Sequence, residues 1–314
     1  MALAVELPPL DAQIKSNRLR SRLLFLLFFA IYGALGFAVS LRFGPAAFVG
    51  FLVVAVVIVV VTLTMGDDLA VTVAKAKQIN SRDECPPVWD AVEVMALASG
   101  QPMPRVYISP DPAPNAFAAG KDPKQAVVCV NQGLLQLLDK EELEGVIAHE
   151  MGHVRNLDVK LMTYAAVLAG GIALIAEWIS YALFWGGGDD EDAGIVGVVV
   201  SILVVILAPI AALLIQMGIS RRREFLADAA AAEFTRYPQG LASALRKLQG
   251  DTTPAQTGST ATAHLCIVTP LGGSGKGSSL FDTHPPLDER IARLDELAAG
   301  QIHTPRPSVA MASY

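Results

Sequence analysis

Charged residues are scarce in this sequence: they make up 17% of its 314 positions, against 53% hydrophobic. So low a charge density argues against an ordinary soluble protein and points to a chain that meets a bilayer. A basic excess is missing as well, since the net charge is −6 and the pI is near 5.4. Without a positive field, nucleic acid is discounted as a partner. Cysteine is nearly absent. Cys85, Cys129 and Cys266 are odd in number, far apart and without a C-x-x-C pair, which speaks against a disulfide framework or a thiolate zinc site and fits a reducing compartment. A phosphate loop is lacking too. Gly273, Ser274, Gly275, Lys276 and Gly277 resemble one at a glance, but Gly follows the lysine and Pro270 stands at the first glycine position.

Long apolar runs are what the sequence does have. Four of them, Leu23 to Leu41, Ala46 to Met65, Leu161 to Trp185 and Ile195 to Ile219, each approach the ~20 residues of a bilayer-crossing helix. The first two are separated by Arg42, Phe43, Gly44 and Pro45 alone, which reads as a tight helical hairpin. A cleaved signal peptide is the rival reading of the first run, and the second span that follows at once counts against it. Gly170, Gly171 and Glu177 interrupt the third run and Pro209 the fourth, so that pair either spans or lies beside the membrane. Lys15, Arg18, Arg20 and Arg22 precede the first run, Arg155 and Lys160 the third, and Arg221, Arg222 and Arg223 follow the fourth. Basic flanks mark the cytoplasmic side. Both termini and the segment between runs two and three are then expected in the cytoplasm, with the acidic loop Asp189 to Asp192 outside.

The chain divides on this reading into residues 1–66 (tail and first hairpin), 67–159 and 220–301 (two parts of one catalytic domain), 160–219 (second hairpin) and 302–314 (tail). In the first soluble part, Pro86 and Pro87 open a helix that Gly100 closes. Short β-like runs follow at Arg105 to Ser109 and Ala126 to Asn131, with Asn115 to Ala118 between them. Asp139 and Glu142 then make a capping box. The helix they start carries His149, Glu150 and His153.

Histidines four apart share a helix face, so His149 and His153 can present two imidazoles to one metal ion, a spacing that suits zinc. Glu150 falls within the apolar stripe of Leu143, Val146, Ile147 and Val154. A carboxylate there has to be satisfied by a cation, a water or protonation, and a general base beside a metal-activated water meets that need. A catalytic zinc site wants a third protein ligand. Glu224, four residues before Asp228 on an Ala-rich helix running from about Arg222 through Ala232, is the candidate, and Asp228 can accept a hydrogen bond from a ligating histidine.

The string His149-Glu-Met-Gly-His153, a hydrophobic hairpin, and then Arg222-Arg-Glu224-Phe-Leu-Ala-Asp228 resembles the HtpX family of membrane zinc metalloproteases, and more distantly the CAAX prenyl endopeptidases. Asn115-Ala116-Phe117-Ala118 and Thr283-His-Pro-Pro-Leu-Asp-Glu-Arg290 match family motifs in the same order. The resemblance covers nearly the whole chain. It implies His149, His153 and Glu224 as ligands of one zinc ion per chain, Glu150 as base, and Asp228 behind the ligands. It also implies that Asn115 to Ala118 lies on an edge strand where an extended substrate docks, with core packing the plainer reading of Phe117, and that His284 and Arg290 lie beside the metal. A cation or imidazolium there could stabilise the developing oxyanion, His284 could instead fill the open zinc position, and a helix N-terminus is the plainer reading of Asp282 to Ile291.

The expected fold is therefore a mainly α membrane protein of four transmembrane helices, with a zincin-like α+β cytoplasmic domain carrying a small sheet. The expected function is endopeptidase action on misfolded or membrane proteins at the cell membrane, in quality control. A catalytically silent scaffold or chaperone that kept the metal motif is the alternative, and the sequence leaves room for an oligomer.

Overall fold

The computed structural model describes residues 10–185, 221–257, 267 and 285–300. The fourth apolar run, the acidic loop, Cys266, the glycine-rich stretch at 273–277, His284 and the tail after Gly300 lie outside those residues.

Helix α1 (Leu10–Phe43) is broken from α2 (Pro45–Val73) by Gly44 alone. Gly44 sits at φ 82, a left-handed angle that residues with a Cβ rarely take. Pro45 then occupies the first helical turn, where its missing N–H leaves no bond unmade. The helices approach closely, since a Cβ on Gly36 would fall 2.8 Å from that of Phe51. Within them, Leu19–Phe37 and Pro45–Val73 are long and apolar enough to cross a membrane. Val49, Val53, Val56, Val57 and Val60 are exposed on α2, as a lipid-facing surface would be. The third apolar run lies in α6 (Val159–Trp185), whose Leu161, Ala165, Leu168 and Ile172 pack with Leu24, Phe28 and Tyr32 of α1. Tyr32 Oη donates to the Gly171 carbonyl at 3.1 Å, tying α1 to α6.

Helix α2 kinks at Met65, which has non-helical φ −129 and ψ 15. Lys121 Nζ takes up the Thr64 carbonyl there. Beyond the kink, Arg105 bonds both Asp67 and Asp68 and holds the end of α2 against a four-stranded sheet. Its strands are β1 (Lys77–Ile79), β2 (Arg105–Ser109), β3 (Ala116–Ala119) and β4 (Val127–Asn131). Their order is β1-β2-β4-β3, with β2 and β4 parallel and the other pairs antiparallel. β1 was not expected, because Lys-Gln-Ile has no apolar alternation and is a strand only through its pairing with Val106 to Ile108.

Strand side chains alternate between faces, and both faces of this sheet are covered. Tyr107, Phe117, Ala119, Val127 and Cys129 pack on Ala70, Val71, Met162 and Ala166 at the ends of α2 and α6. Val106, Ala116, Ala118, Val128 and Val130 face the main core instead. Burying a valine side chain contributes roughly 1.5–3 kcal/mol, so the valines alone strongly fix the register. Phe117, the aromatic of the expected substrate strand, is thus buried against the ends of α2 and α6.

The main core is built by α3 (Pro86–Ser99), α4 (Gln132–Leu137), α5 (Lys140–Arg155), α7 (Arg221–Thr235), α8 (Pro238–Gly250) and α9 (Leu287–Ala298). α3 ends, as expected, at Gly100 with φ 68. The Asp139–Glu142 capping box forms in full. α5 lies deepest, and backbone contact sets its place: a Cβ on Gly145 would meet Leu241 N at 2.6 Å, and one on Gly152 would meet Ala227 Cα at 3.1 Å.

Candidate metal centre

α5 delivers His149, Glu150 and His153 to the interior, all at most 3% exposed. α7, seated on α5 across Gly152, delivers Glu224 and Asp228, which are also buried. α9 is held to α7 by the Arg293 guanidinium over the Phe225 ring, 4.1 Å from its centroid, and to α8 by an Arg246–Asp295 ion pair. It brings Arg290 to the same point. Residues from three helices thus meet beside the edge strand β3.

His149 Nε2 and His153 Nε2 stand 3.2 Å apart. Glu224 faces both, with Oε1 3.5 Å from His153 Nε2 and Oε2 3.8 Å from His149 Nε2. The outer nitrogens are engaged: His149 Nδ1 lies 2.9 Å from Asp228 Oδ1 and His153 Nδ1 lies 3.2 Å from Asp158 Oδ2. Carboxylates on both Nδ1 atoms assign the proton to that side of each ring and leave two Nε2 lone pairs converging on a third acceptor, Glu224. Three acceptors pointed at one spot repel one another unless a metal ion or a proton lies between them. Tetrahedral ligands at ~2.0–2.1 Å from zinc stand roughly 3.3 Å from each other, close to the spacings observed. The donor set therefore fits a metal ion of zinc's size and preference.

The electrostatics agree. Burial, and after it the Arg290 charge, hold His149 down at about 4, so its ring is neutral near pH 7. Burial would lower His153 too, but the hydrogen bond and charge of Asp158 outweigh it and lift the ring to about 9, with Glu224 and Glu150 adding. That demand for positive charge is met by a proton or by a metal ion. Burial pushes Glu150 up to about 8, opposed by His153 and by a hydrogen bond from the Ala118 N–H of β3. A bound cation would draw Glu150 back toward the carboxylate.

Arg290 is fully buried. Its Nε and Nη2 bond the two oxygens of Asp228 at 2.9 and 2.6 Å. Nη1 reaches the Ile267 carbonyl at 3.4 Å and lies 3.6 Å from Glu224 Oε2. Every guanidinium nitrogen has a protein partner, and Asp228 falls below the usual carboxylate range despite its burial because Arg290 and His149 face it.

The structure brings together His149, Glu150, His153, Glu224, Asp228 and Arg290. Asn115 lies just ahead of β3, and Ala116 to Ala118 form it. β3 is an edge strand, although the Ala116 carbonyl already accepts the Ile267 N–H at 3.1 Å. Two participants were missed from the sequence, Asp158 and Ile267. A carboxylate five residues past the second histidine was a readable signal for the first; nothing local marked the second.

The sequence pattern described as Peptidase family M48 matches residues 86–298. The chain belongs to peptidase family M48. The matched stretch begins with α3 and closes with α9, so it contains strands β2 to β4 and every residue of the centre. Among curated relatives, a protein named Protease HtpX homolog from Tropheryma whipplei (strain Twist) is 43% identical over 284 residues, covering 90% of this chain and 97% of the relative. Another of that name from Ligilactobacillus salivarius is 42% identical over 294 residues, covering 91% and 99%. Among solved structures, the crystal structure of S. mikatae Ste24p matches with TM-score 0.45 and 19% identity, over 87% of this chain and 62% of that one. A likeness that distant decides nothing further about this M48 peptidase.

Proposed function

We propose that this M48 peptidase is a membrane-bound, zinc-dependent endopeptidase. The observation that carries the reading is the convergence of two imidazole nitrogens and one carboxylate oxygen, His149, His153 and Glu224 each offering one atom within 4.8 Å of the others, in the buried interior. His149, His153 and Glu224 would hold the ion. When bound, zinc supplies a charge that polarises a peptide carbonyl and makes water acidic enough to attack near neutral pH.

The chain's own residues do the rest. Glu150, next to His149 on the same buried helix, accepts the proton of the attacking water and passes it to the leaving amine nitrogen, ending as the carboxylate it began as. Asp228 holds the His149 ring in the ligating tautomer, and Arg290 locks Asp228 in place through two bonds. β3 offers a backbone edge at the height of Glu150, on which an extended substrate segment can align. His284, outside the described residues, and Arg290 are the further candidates for stabilising the oxyanion.

Around this centre, residues 67–159 and 220–301 would assemble a zincin-like domain, interrupted by a second hairpin within 160–219. The basic flanks of the apolar runs support a cytoplasmic domain and cytoplasmic termini. A site at the end of membrane helices suits substrates in or beside the bilayer, hence the assignment to membrane-protein quality control. The full-length protein in detergent is expected to hold one zinc ion per chain and to cleave casein. Glu150→Gln should keep the zinc and lose cleavage, and His153→Ala should lose both. Undiminished proteolysis by Glu150→Gln would refute the mechanism.

A further inference from the structure

We infer that Asp158 is a positioning residue of the metal centre, one that orients His153 and makes the geometry of the site depend on the first turn of α6. The inference rests on the reading of His149, His153 and Glu224 as metal ligands.

Asp158 is only 1% exposed. It lies between α5 and α6 and is bound to both. Its N–H donates to the His153 carbonyl at 3.3 Å, and its own carbonyl accepts the Met162 N–H of α6 at 3.0 Å. The residue before it, Leu157, has φ 59, a left-handed conformation that a leucine rarely adopts. That reversal folds the chain back, so that the Asp158 carboxylate faces the ring of the residue five positions earlier rather than the solvent.

Oδ2 takes His153 Nδ1 at 3.2 Å. Oδ1 is buried and has no hydrogen-bond partner among the described residues. Burying a carboxylate with one oxygen unpaired is unfavourable unless its charge is used. Here the charge faces an imidazole whose other nitrogen points at Glu224 and His149. A carboxylate so placed fixes the tautomer, fixes the ring plane and makes Nε2 a better donor to a cation. Asp228 does the same for His149, but it is shared with Arg290 and comes from α7. The two ligating rings are thus oriented from opposite sides, one by the helix that supplies Glu224 and one by the junction leading into the apolar bundle. Because the main chain of Asp158 belongs to the α6 turn, tilting α6 against α5 would rotate the carboxylate on His153.

The test uses full-length protein in detergent, stripped and then titrated with Zn(II) against a fluorescent chelator. Wild type and His149→Ala are measured alongside Asp158→Ala and Asp158→Asn. Asp158→Ala is expected to bind zinc ~10- to 100-fold more weakly. Asp158→Asn, which keeps an acceptor oxygen without the charge, should fall between it and wild type. The visible absorption of Co(II)-substituted Asp158→Ala should shift, reporting altered ligand geometry. A residue that merely starts α6 would lower the melting temperature of the stripped protein and leave zinc affinity and the cobalt spectrum alone, which overturns the proposal. If Asp158→Ala does not fold, Asp158→Asn decides on the same criterion, wild-type affinity counting against. Failure of the underlying metal reading looks different: wild type would bind no zinc, or His149→Ala would bind it equally well.

Discussion

Removing Arg290 is the perturbation that most directly probes how the centre is held together. The side chain is fully buried and faces Asp228 through two bonds, at 2.9 and 2.6 Å, with Glu224 3.6 Å away. Glu150 is buried close by, and all three carboxylates are at most 4% exposed. Arg290→Met leaves the volume nearly filled but strands Asp228 with the His149 Nδ1 proton as its remaining strong partner. Breaking a buried ion pair from one side costs about 3–5 kcal/mol. For a folded unit of this size, each kcal/mol lowers the melting temperature by roughly 2–4 °C, so a drop on the order of 6–20 °C is expected. The assay is thermal unfolding of the full-length protein in detergent with chelator present, so that metal binding does not contribute. Arg290→Lys should recover little, because an ammonium cannot bond both carboxylate oxygens in the plane of a guanidinium. Asp228→Asn combined with Arg290→Met should lose less than the two single changes together, since each single variant leaves a charge unpaired. An Arg290→Met protein that melts within about 2 °C of wild type, or strictly additive losses, would refute the idea that Arg290 acts chiefly by neutralising buried carboxylates. It would return attention to direct contact between its guanidinium and the substrate.

Two further outcomes follow from the packing of α5. Gly145→Ala places a methyl 2.6 Å from Leu241 N and 2.9 Å from Leu241 Cα, both backbone; overpacking of about 1–3 kcal/mol exceeds the ~0.5–1 kcal/mol that alanine gains in a helix. Lowered thermal stability and weaker zinc retention should result, whereas Gly250→Ala, with nothing within 4 Å, should change neither. Glu142 is buried, which raises its carboxyl, but the hydrogen bonds from Lys247 and Ser243 outweigh that and hold it below its usual 4.5. A depressed folded value stabilises above the unfolded value and is lost as pH falls through the folded one. The melting-temperature gap between wild type and Glu142→Gln should therefore be widest near neutrality and close below about pH 4.5; a gap that stays constant across that range would count against the pairing.

Much of the centre was legible because its decisive spacings are local. Two histidines four apart must share a helix face, as must Glu224 and Asp228, whatever the rest of the chain does. The capping box at Asp139 and Glu142 and the stop at Gly100 are likewise nearest-neighbour chemistry, and both appear as expected. The turn between the first two apolar helices needed only Gly44 rather than four residues, because glycine reaches φ 82 unaided and proline can start a helix.

Sequence by itself therefore determined the face shared by His149 and His153, the apolar hairpin and the helix that carries Glu150. Only the tertiary structure decided what surrounds them. Arg290 and Asp228 are 62 residues apart, and no periodicity links them. Their pairing follows from α9 docking on α7 and α8. Phe117 belongs by sequence to the expected substrate strand, and its burial against α2 and α6 follows only from how those helices cover the sheet's second face. Asp158 reaches His153 because Leu157 turns the chain into the left-handed region. β1 exists only because β2 stands beside it. In each case the deciding energy comes from contacts distant in sequence or from a backbone angle that the residue type disfavours, and a local reading of the chain carries neither.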